Sequence, residues 1–209
     1  MFQDFCKIVL CALAVASISS FSLRAETQDI KVGNQTFSIP LVPILDAKIK
    51  IAYLNLKDNT ILIEALANEI ANYINANKEN IDVIITPEAN TIALAHAVSL
   101  KTGIKYIVLT KKRRPDMGAE ALSVPVKSIT TAQQQELWIS EENIKKIKGQ
   151  KVLILDDVVS TGGTLNATTE LVQKAGGLLT LSPLVCFHEG KEHKGVKAIS
   201  STVLPIIPL

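Results

Sequence analysis

Three short runs, "IDVIIT" (81–86), "IKYIVLT" (104–110) and "KVLILDD" (151–157), are apolar almost throughout and rich in β-branched residues. A strand that is apolar on both faces has to be covered on both, and parallel strands joined through helices are the arrangement that does so. The intervening sequence supplies the helices. "TILIEALANEIANYINA" from Thr60 repeats apolar residues at helical spacing behind an Asn59 or Thr60 cap, "EANTIALAHAVSLKTG" ends at Gly103, and "TGGTLNATTELVQKAGG" ends at Gly176-Gly177. A last long strand is expected over "LLTLSPLVCF" (178–187). The pattern predicts an α/β fold, an open and mainly parallel sheet with helices on both faces. In such sheets ligands bind beyond the carboxyl ends of the strands, where strand order reverses, so the residues just after 86, 110 and 155 are the places to look.

Upstream, "DIKVGNQTFSIPLVPI" (29–44) reads as a hairpin turning at Gly33-Asn34, and "IKIAYLNL" (49–56) as a further strand. Between the second and third apolar runs lies a 40-residue connection, 111–150, long enough to be functional or to hold elements of its own. In it "ALSVPV" and "QELWIS" are expected to pair as a ribbon, leaving the Ser-, Thr- and Gln-rich stretch as a mobile cover.

A chain of 209 residues with 47% hydrophobic and 20% charged side chains fits one packed domain. Aromatic residues are only 4% and the formal charge is +2, which argues against a base-stacking surface and against general affinity for nucleic acid. The first 25 residues are read apart from residues 26–209. Lys7 precedes the apolar run Ile8–Ile18, too short to span a bilayer but of the length of a secretory leader, with a small residue, Ala25, before the expected cut. The expectation is export to the periplasm or medium, with membrane attachment only if the leader stays on and a cytoplasmic protein if the leader is not real. Of the three cysteines, Cys6 and Cys11 lie in this segment, so a mature chain keeps Cys186 alone and forms no internal disulfide.

The most specific stretch is "VLILDDVVSTGGTL" (152–165). Two adjacent carboxylates, Asp156 and Asp157, end an apolar strand, and the small residues Ser160, Thr161, Gly162, Gly163 and Thr164 open a helix. Exposed amides, hydroxyls and a helix N-terminus make an anion site in which glycine lets the backbone approach a phosphate. Carboxylates would repel that phosphate unless the ligand also presents a neutral diol, which they bind as pure acceptors. A phosphate one short arm from two vicinal hydroxyls describes a ribose 5-phosphate. A nucleoside-triphosphate loop is excluded by the lack of a Gly-Lys-Ser or Gly-Lys-Thr sequence.

This run resembles the phosphoribosyl-pyrophosphate motif of type I phosphoribosyltransferases, and "VIITPEANTIALAHAVSLKTGIKYIVLTKKRRP" is similar to the matching region of adenine and xanthine phosphoribosyltransferases. The likeness covers about residues 40–209. It implies a type I fold with a small hood and a long flexible loop, and transfer of a phosphoribosyl group from phosphoribosyl pyrophosphate to a ring nitrogen of a purine-type nucleobase, most like the adenine enzymes. It further implies that Asp156 and Asp157 hold the ribose hydroxyls, that Ser160–Thr164 binds the 5-phosphate, and that the Thr86–Thr91 loop, through Glu88, Ala89 and Asn90, meets pyrophosphate with Lys111. Mg²⁺ is the implied cofactor, held mainly by substrate oxygens rather than by a protein metal site, and a homodimer is the candidate assembly. The chain departs from the adenine pattern at Thr110 and at "EANT", which leaves a non-catalytic phosphoribosyl-pyrophosphate or nucleotide sensor as the second reading.

Other residues have blander readings. Glu88 suits a helix first turn as well as a ribose or metal site, and Lys111, Lys112, Arg113 and Arg114 suit a solvated face as well as a pyrophosphate site. His188, Glu189 and His193 lack helical zinc-ligand spacing. His96 reads as a helix residue, Trp138 as ribbon packing, and "VLPIIPL" as a pocket wall or the finish of the domain.

Overall fold

The computed structural model describes residues 26–126 and 135–209. The expected leader and most of the expected mobile cover lie outside them. Among the described residues, twelve strands and four α-helices follow in the order β1 (Thr27–Val32), β2 (Gln35–Ile44), β3 (Ile49–Ala52), α1 (Thr60–Ala76), β4 (Val83–Pro87), α2 (Ile92–Thr102), β5 (Lys105–Leu109), β6 (Leu122–Val126), β7 (Gln135–Ile139), α3 (Glu141–Ile147), β8 (Val152–Val159), α4 (Gly163–Lys174), β9 (Leu184–Glu189), β10 (Lys197–Ala198), β11 (Val203–Leu204) and β12 (Ile206–Pro208).

The central sheet runs β10-β9-β8-β4-β5, with β11 also on β9, and every pairing in it is parallel. Its strands alternate between two cores. Ile84, Leu153, Leu155 and Leu184 join Leu62, Leu66, Ile70, Leu94 and Val98 of α1 and α2 on one face. Val83, Ile85, Val152, Ile154 and Val185 join Ile147, Leu165, Leu171 and Val172 of α3 and α4 on the other. A period of two along strands that are apolar at every position demands this double cover, and each fully buried Leu, Ile or Val contributes about 1.5–3 kcal/mol. The expected open α/β sheet is therefore present.

A second, antiparallel sheet, β1-β2-β3-β12, forms the hood. The predicted hairpin is formed, with Val32 opposite Gln35 across the Gly33-Asn34 turn. β2 pairs with β1 as far as Pro40 and with β3 from Leu41. Ile30, Val32 and Ile39 pack into the core under α1. α1 starts where the sequence places it, the Asn59 side chain accepting from the Leu62 amide at 3.1 Å. The ribbon of β6 and β7 is also formed, and it packs on the α4 side.

Four expectations need correction. The strand expected over 49–56 stops at Ala52, because the Leu54 carbonyl and the Leu56 amide are bonded by a side chain rather than by a ladder. The strand expected over 178–187 starts only at Leu184, after Pro183, which has no amide to donate. The helix expected from Glu88 starts at Ile92, so Glu88 lies in the preceding turn and not in a helix first turn. The aspartates do not end their strand, since β8 continues through them to Val159.

Gly177 joins α4 to the stretch before β9, and a Cβ there would lie 2.8 Å from Val172 Cγ1 and 2.9 Å from Val152 Cγ2, both on fully buried side chains. Gly177→Ala is expected to destabilise by about 1–3 kcal/mol, read as a melting temperature lowered by roughly 2–4 °C per kcal/mol. An unchanged melting temperature would show that the valines can move aside.

Candidate functional site

Chain order reverses between β4 and β8. From β4 the chain builds outward to β5 on one side, then returns to lay β8, β9 and β10 on the other. The crevice beyond these two carboxyl ends is where an open sheet binds ligands. Two turns and a pair of carboxylates meet there.

Asp156 and Asp157 are adjacent on β8 and so point to opposite faces. Asp156 is 7% exposed, accepting from the Thr91 hydroxyl at 3.1 Å and from the Asp157 amide at 2.9 Å on the same oxygen. Burial, followed by the charge of Asp157, holds its carboxyl well above the ordinary carboxylate range. Asp157 is partly exposed, accepting from the Val158 amide at 2.8 Å and from the Asn90 side chain.

A raised folded-state pKa means that Asp156 supports folding fully below its unfolded value of about 3.9 and loses that contribution as pH rises through the folded value. Asp156→Asn keeps the oxygen that accepts from Thr91 and Asp157 and removes the buried charge. It is expected to raise the melting temperature of the ligand-free protein by at least about 2 °C at pH 8, with the gain fading toward pH 4. Thermal melts across that range check this, and a gain that grows toward acid pH would reverse the assignment.

The turn Ser160–Thr164 wraps the N-terminus of α4. Gly162 is the cap residue, in the left-handed region at φ 81°, and no side chain caps the helix. Only the Thr161 hydroxyl approaches, 3.5 Å from the Gly163 amide. An uncapped helix start leaves amides directed at whatever lies in front. What lies in front is a cavity of ≈ 110 Å³ lined by Asp156, Val158 to Leu165 and Val185. That is several times the roughly 10–15 Å³ one water occupies. It has donors along one side and a carboxylate along the other, as a phosphorylated polyol requires.

The second turn, Glu88–Thr91, leaves β4 for α2 through a cis Glu88–Ala89 peptide. The amides of Ala89, Asn90 and Thr91 meet no acceptor among the described residues. Glu88 spans to the end of β5, accepting from the Lys111 amide at 2.5 Å, while its own amide donates to Leu109 at 2.9 Å. Of the basic run that follows β5, Arg113 lies over the Trp138 ring at 5.9 Å and donates to the Gly118 carbonyl at 2.9 Å. Arg114 lies 3.6 Å from Asp116. Lys111 and Lys112 remain exposed ammonium groups. Thr110 is buried, bonded through its hydroxyl to the Lys112 carbonyl at 2.9 Å and paired through its backbone with Trp138.

The candidate residues Glu88, Ala89, Asn90, Asp156, Asp157 and Ser160–Thr164 thus gather around one crevice, with Lys111 tethered to its edge. Two contributors were missed: Thr91, as a partner of Asp156, and the backbone of Leu54 and Leu56, which meets Asn90. Backbone groups leave no mark in residue identity, so nothing pointed to the second.

The remaining candidates take structural places. His188 Nδ1 accepts from the His193 amide at 3.2 Å, and the two rings stack 5.8 Å apart. Burial first and His193 second hold His188 below the usual imidazole range, in keeping with that acceptor nitrogen. No group of three or more His, Cys, Asp or Glu among the described residues could hold a metal ion. His96 is exposed and meets Tyr106 edge-on. The final residues complete both sheets as β11 and β12.

A family model described as "Phosphoribosyl transferase domain" matches residues 52–199. The chain is similar to a protein named hypoxanthine/guanine phosphoribosyltransferase in Methanothermococcus okinawensis, 36% identical over 137 residues that cover 64% of this chain and 68% of that one. A protein of the same name in Methanococcus vannielii is 37% identical over 117 residues, and there the match spans 56% of this chain and 58% of the relative's length. Among solved structures, adenine phosphoribosyltransferase from Saccharomyces cerevisiae, crystallised with adenine and an imino-altritol bisphosphate, superposes with a TM-score of 0.57 at 17% identity, covering 83% of this chain and 93% of that one.

Proposed function

Because the chain belongs to the phosphoribosyltransferase family, we propose that its crevice transfers the phosphoribosyl group of phosphoribosyl pyrophosphate to a ring nitrogen of a purine, releasing pyrophosphate. One observation carries this reading. At the switch point, Asp156 of β8 lines the same cavity as the uncapped N-terminus of α4, with Asp157 next to it on the strand.

In this reading the 5-phosphate lies on the amides and hydroxyls of Ser160–Thr164, where donors and the helix dipole favour an anion. The ribose hydroxyls donate to Asp156, which lines the cavity, and to Asp157, the more exposed carboxylate. The leaving pyrophosphate takes the backbone amides of the Glu88–Thr91 turn and the ammonium of Lys111. The bond from the anomeric carbon to pyrophosphate breaks as positive charge gathers on the sugar, the base nitrogen brings its electron pair to that carbon, and the proton the base gives up leaves to water or to the departing pyrophosphate. The protein supplies no nucleophile. It neutralises the leaving group and keeps the two halves of the substrate in line.

Mg²⁺ keeps few protein ligands and would be held mainly by oxygens of the substrate and water, beside the crevice carboxylates. When bound it would supply charge neutralisation on pyrophosphate.

The base is proposed as a purine. Adenine is favoured by the likeness of 83–115 to adenine- and xanthine-type sequences, and hypoxanthine or guanine by the name of the relatives. Release of pyrophosphate from phosphoribosyl pyrophosphate and Mg²⁺, measured with adenine, hypoxanthine and guanine in turn, tests this. Release with one base names it. Binding of phosphoribosyl pyrophosphate without release by any base would replace the enzyme by a sensor. Export belongs to the same proposal, and cell fractionation tests it: a shortened form starting near Glu26 outside the cytoplasm supports it, and full-length cytosolic protein overturns it.

A further inference from the structure

We propose that Asn90 is a positioning residue, which fixes Asp157 against the chain entering α1, and that its side chain is not a pyrophosphate ligand. The inference rests on the functional reading above and changes the part Asn90 plays in it. The side-chain amide donates to the Leu54 carbonyl at 2.9 Å and to Asp157 Oδ2, and its oxygen accepts from the Leu56 amide at 3.0 Å. The Leu56 N–H can meet only an acceptor, which fixes which way round the amide lies.

A primary amide has two N–H donors, and both are taken. The oxygen that remains would repel an anion, so only backbone amides of this turn can face pyrophosphate. Leu54 and Leu56 are buried in the core beneath the hood, at 6% and 0% exposure, so the group that Asn90 grips on that side is immobile. Asn90 therefore joins three parts that sequence keeps far apart: the stretch 54–56 leading out of the hood, the turn after β4, and the carboxylate on β8. The bond to be broken lies between the ribose, held by Asp157, and the pyrophosphate, held by the turn that bears Asn90. Tying these two together presets the alignment of the reacting atoms, where a displacement of an ångström is costly.

Two substitutions separate this role from direct contact. Asn90→Ala removes every bond. Asn90→Asp keeps an oxygen for the Leu56 amide but sets a second negative charge against Asp157. In the ligand-free protein, hydrogen exchange at the Leu56 amide is expected to quicken at least about tenfold in Asn90→Ala and to stay near wild type in Asn90→Asp. With ligands, Asn90→Ala is expected to leave the affinity for Mg²⁺-pyrophosphate within about twofold and to weaken ribose 5-phosphate by about tenfold. Asn90→Asp should weaken ribose 5-phosphate more at pH 8 than at pH 5, where its carboxyl begins to protonate. Unchanged Leu56 exchange in Asn90→Ala, or a loss of pyrophosphate affinity as large as the loss for ribose 5-phosphate, would overturn the proposal. A wild-type chain that binds neither ligand would overturn the functional reading instead, while the exchange measurement still decides whether Asn90 holds the 54–56 chain.

Discussion

Asp156→Asn/Asp157→Asn is expected to lower kcat/KM for phosphoribosyl pyrophosphate by about 10²–10⁴-fold, because each carboxylate loses a charge-assisted bond of about 1.5–3 kcal/mol. The two losses should differ in kind. Asp157 is the more exposed carboxylate and is bonded by Asn90, so its single replacement should raise the KM for phosphoribosyl pyrophosphate and lower kcat together. Asp156 reaches the cavity with little exposed surface and is bonded by Thr91, so its single replacement should act more weakly. Steady-state pyrophosphate release checks this, with circular dichroism to show that the fold survives. Since the double variant removes the buried charge, it should melt higher than wild type at neutral pH while losing activity, the trade between stability and function expected of like charges held side by side. Retained turnover in the double variant would remove the carboxylates from the mechanism.

Lys111→Ala is the second large effect, with an expected loss of about 10–150-fold in affinity for Mg²⁺-pyrophosphate, the value of one charged bond in a partly closed site. Lys112→Ala should change the same affinity by less than about threefold, as for a solvated cation with no fixed place. The contrast follows from the tether: the Lys111 backbone is held by Glu88, whose turn carries the backbone amides proposed above for pyrophosphate. Glu88→Gln should retain much of the Lys111 effect, because a carboxamide oxygen still accepts from that amide. Isothermal titration with pyrophosphate separates the three variants, and equal losses at Lys111 and Lys112 would reduce the basic run to a diffuse field.

The parallel sheet and its crevice were legible because apolar β-branched runs report burial on both faces, and because the run from Val152 to Leu165 places carboxylates, glycines and hydroxyls at fixed spacing. The β6–β7 ribbon was legible for the simpler reason that Leu122 and Val124 alternate with Ser123 and Pro125, and that Leu137 and Ile139 alternate with Glu136, Trp138 and Ser140. The end of β3 was not, because Leu54 and Leu56 look like strand residues and the group that takes their backbone bonds is an asparagine 34 and 36 positions further along. The role of Glu88 was hidden in the same way. Its partner is a backbone amide 23 residues away, and a carboxylate beside a helix start reads by default as a dipole partner. β10 to β12 escaped notice because strands of two or three residues have no periodicity to detect.

The fourth strand of the hood comes from residues 206–208, which pair with residues 49–51, more than 150 positions earlier. During synthesis the first three hood strands emerge long before the one that covers their edge. By the time β12 arrives, every strand of the parallel sheet has already been made. The stretch 54–56, which hangs from β3 and is gripped by Asn90, gains its full support only then. Assembly order thus leaves the edge of β3, and with it the stretch that Asn90 grips, uncovered until the hood's fourth strand has been made.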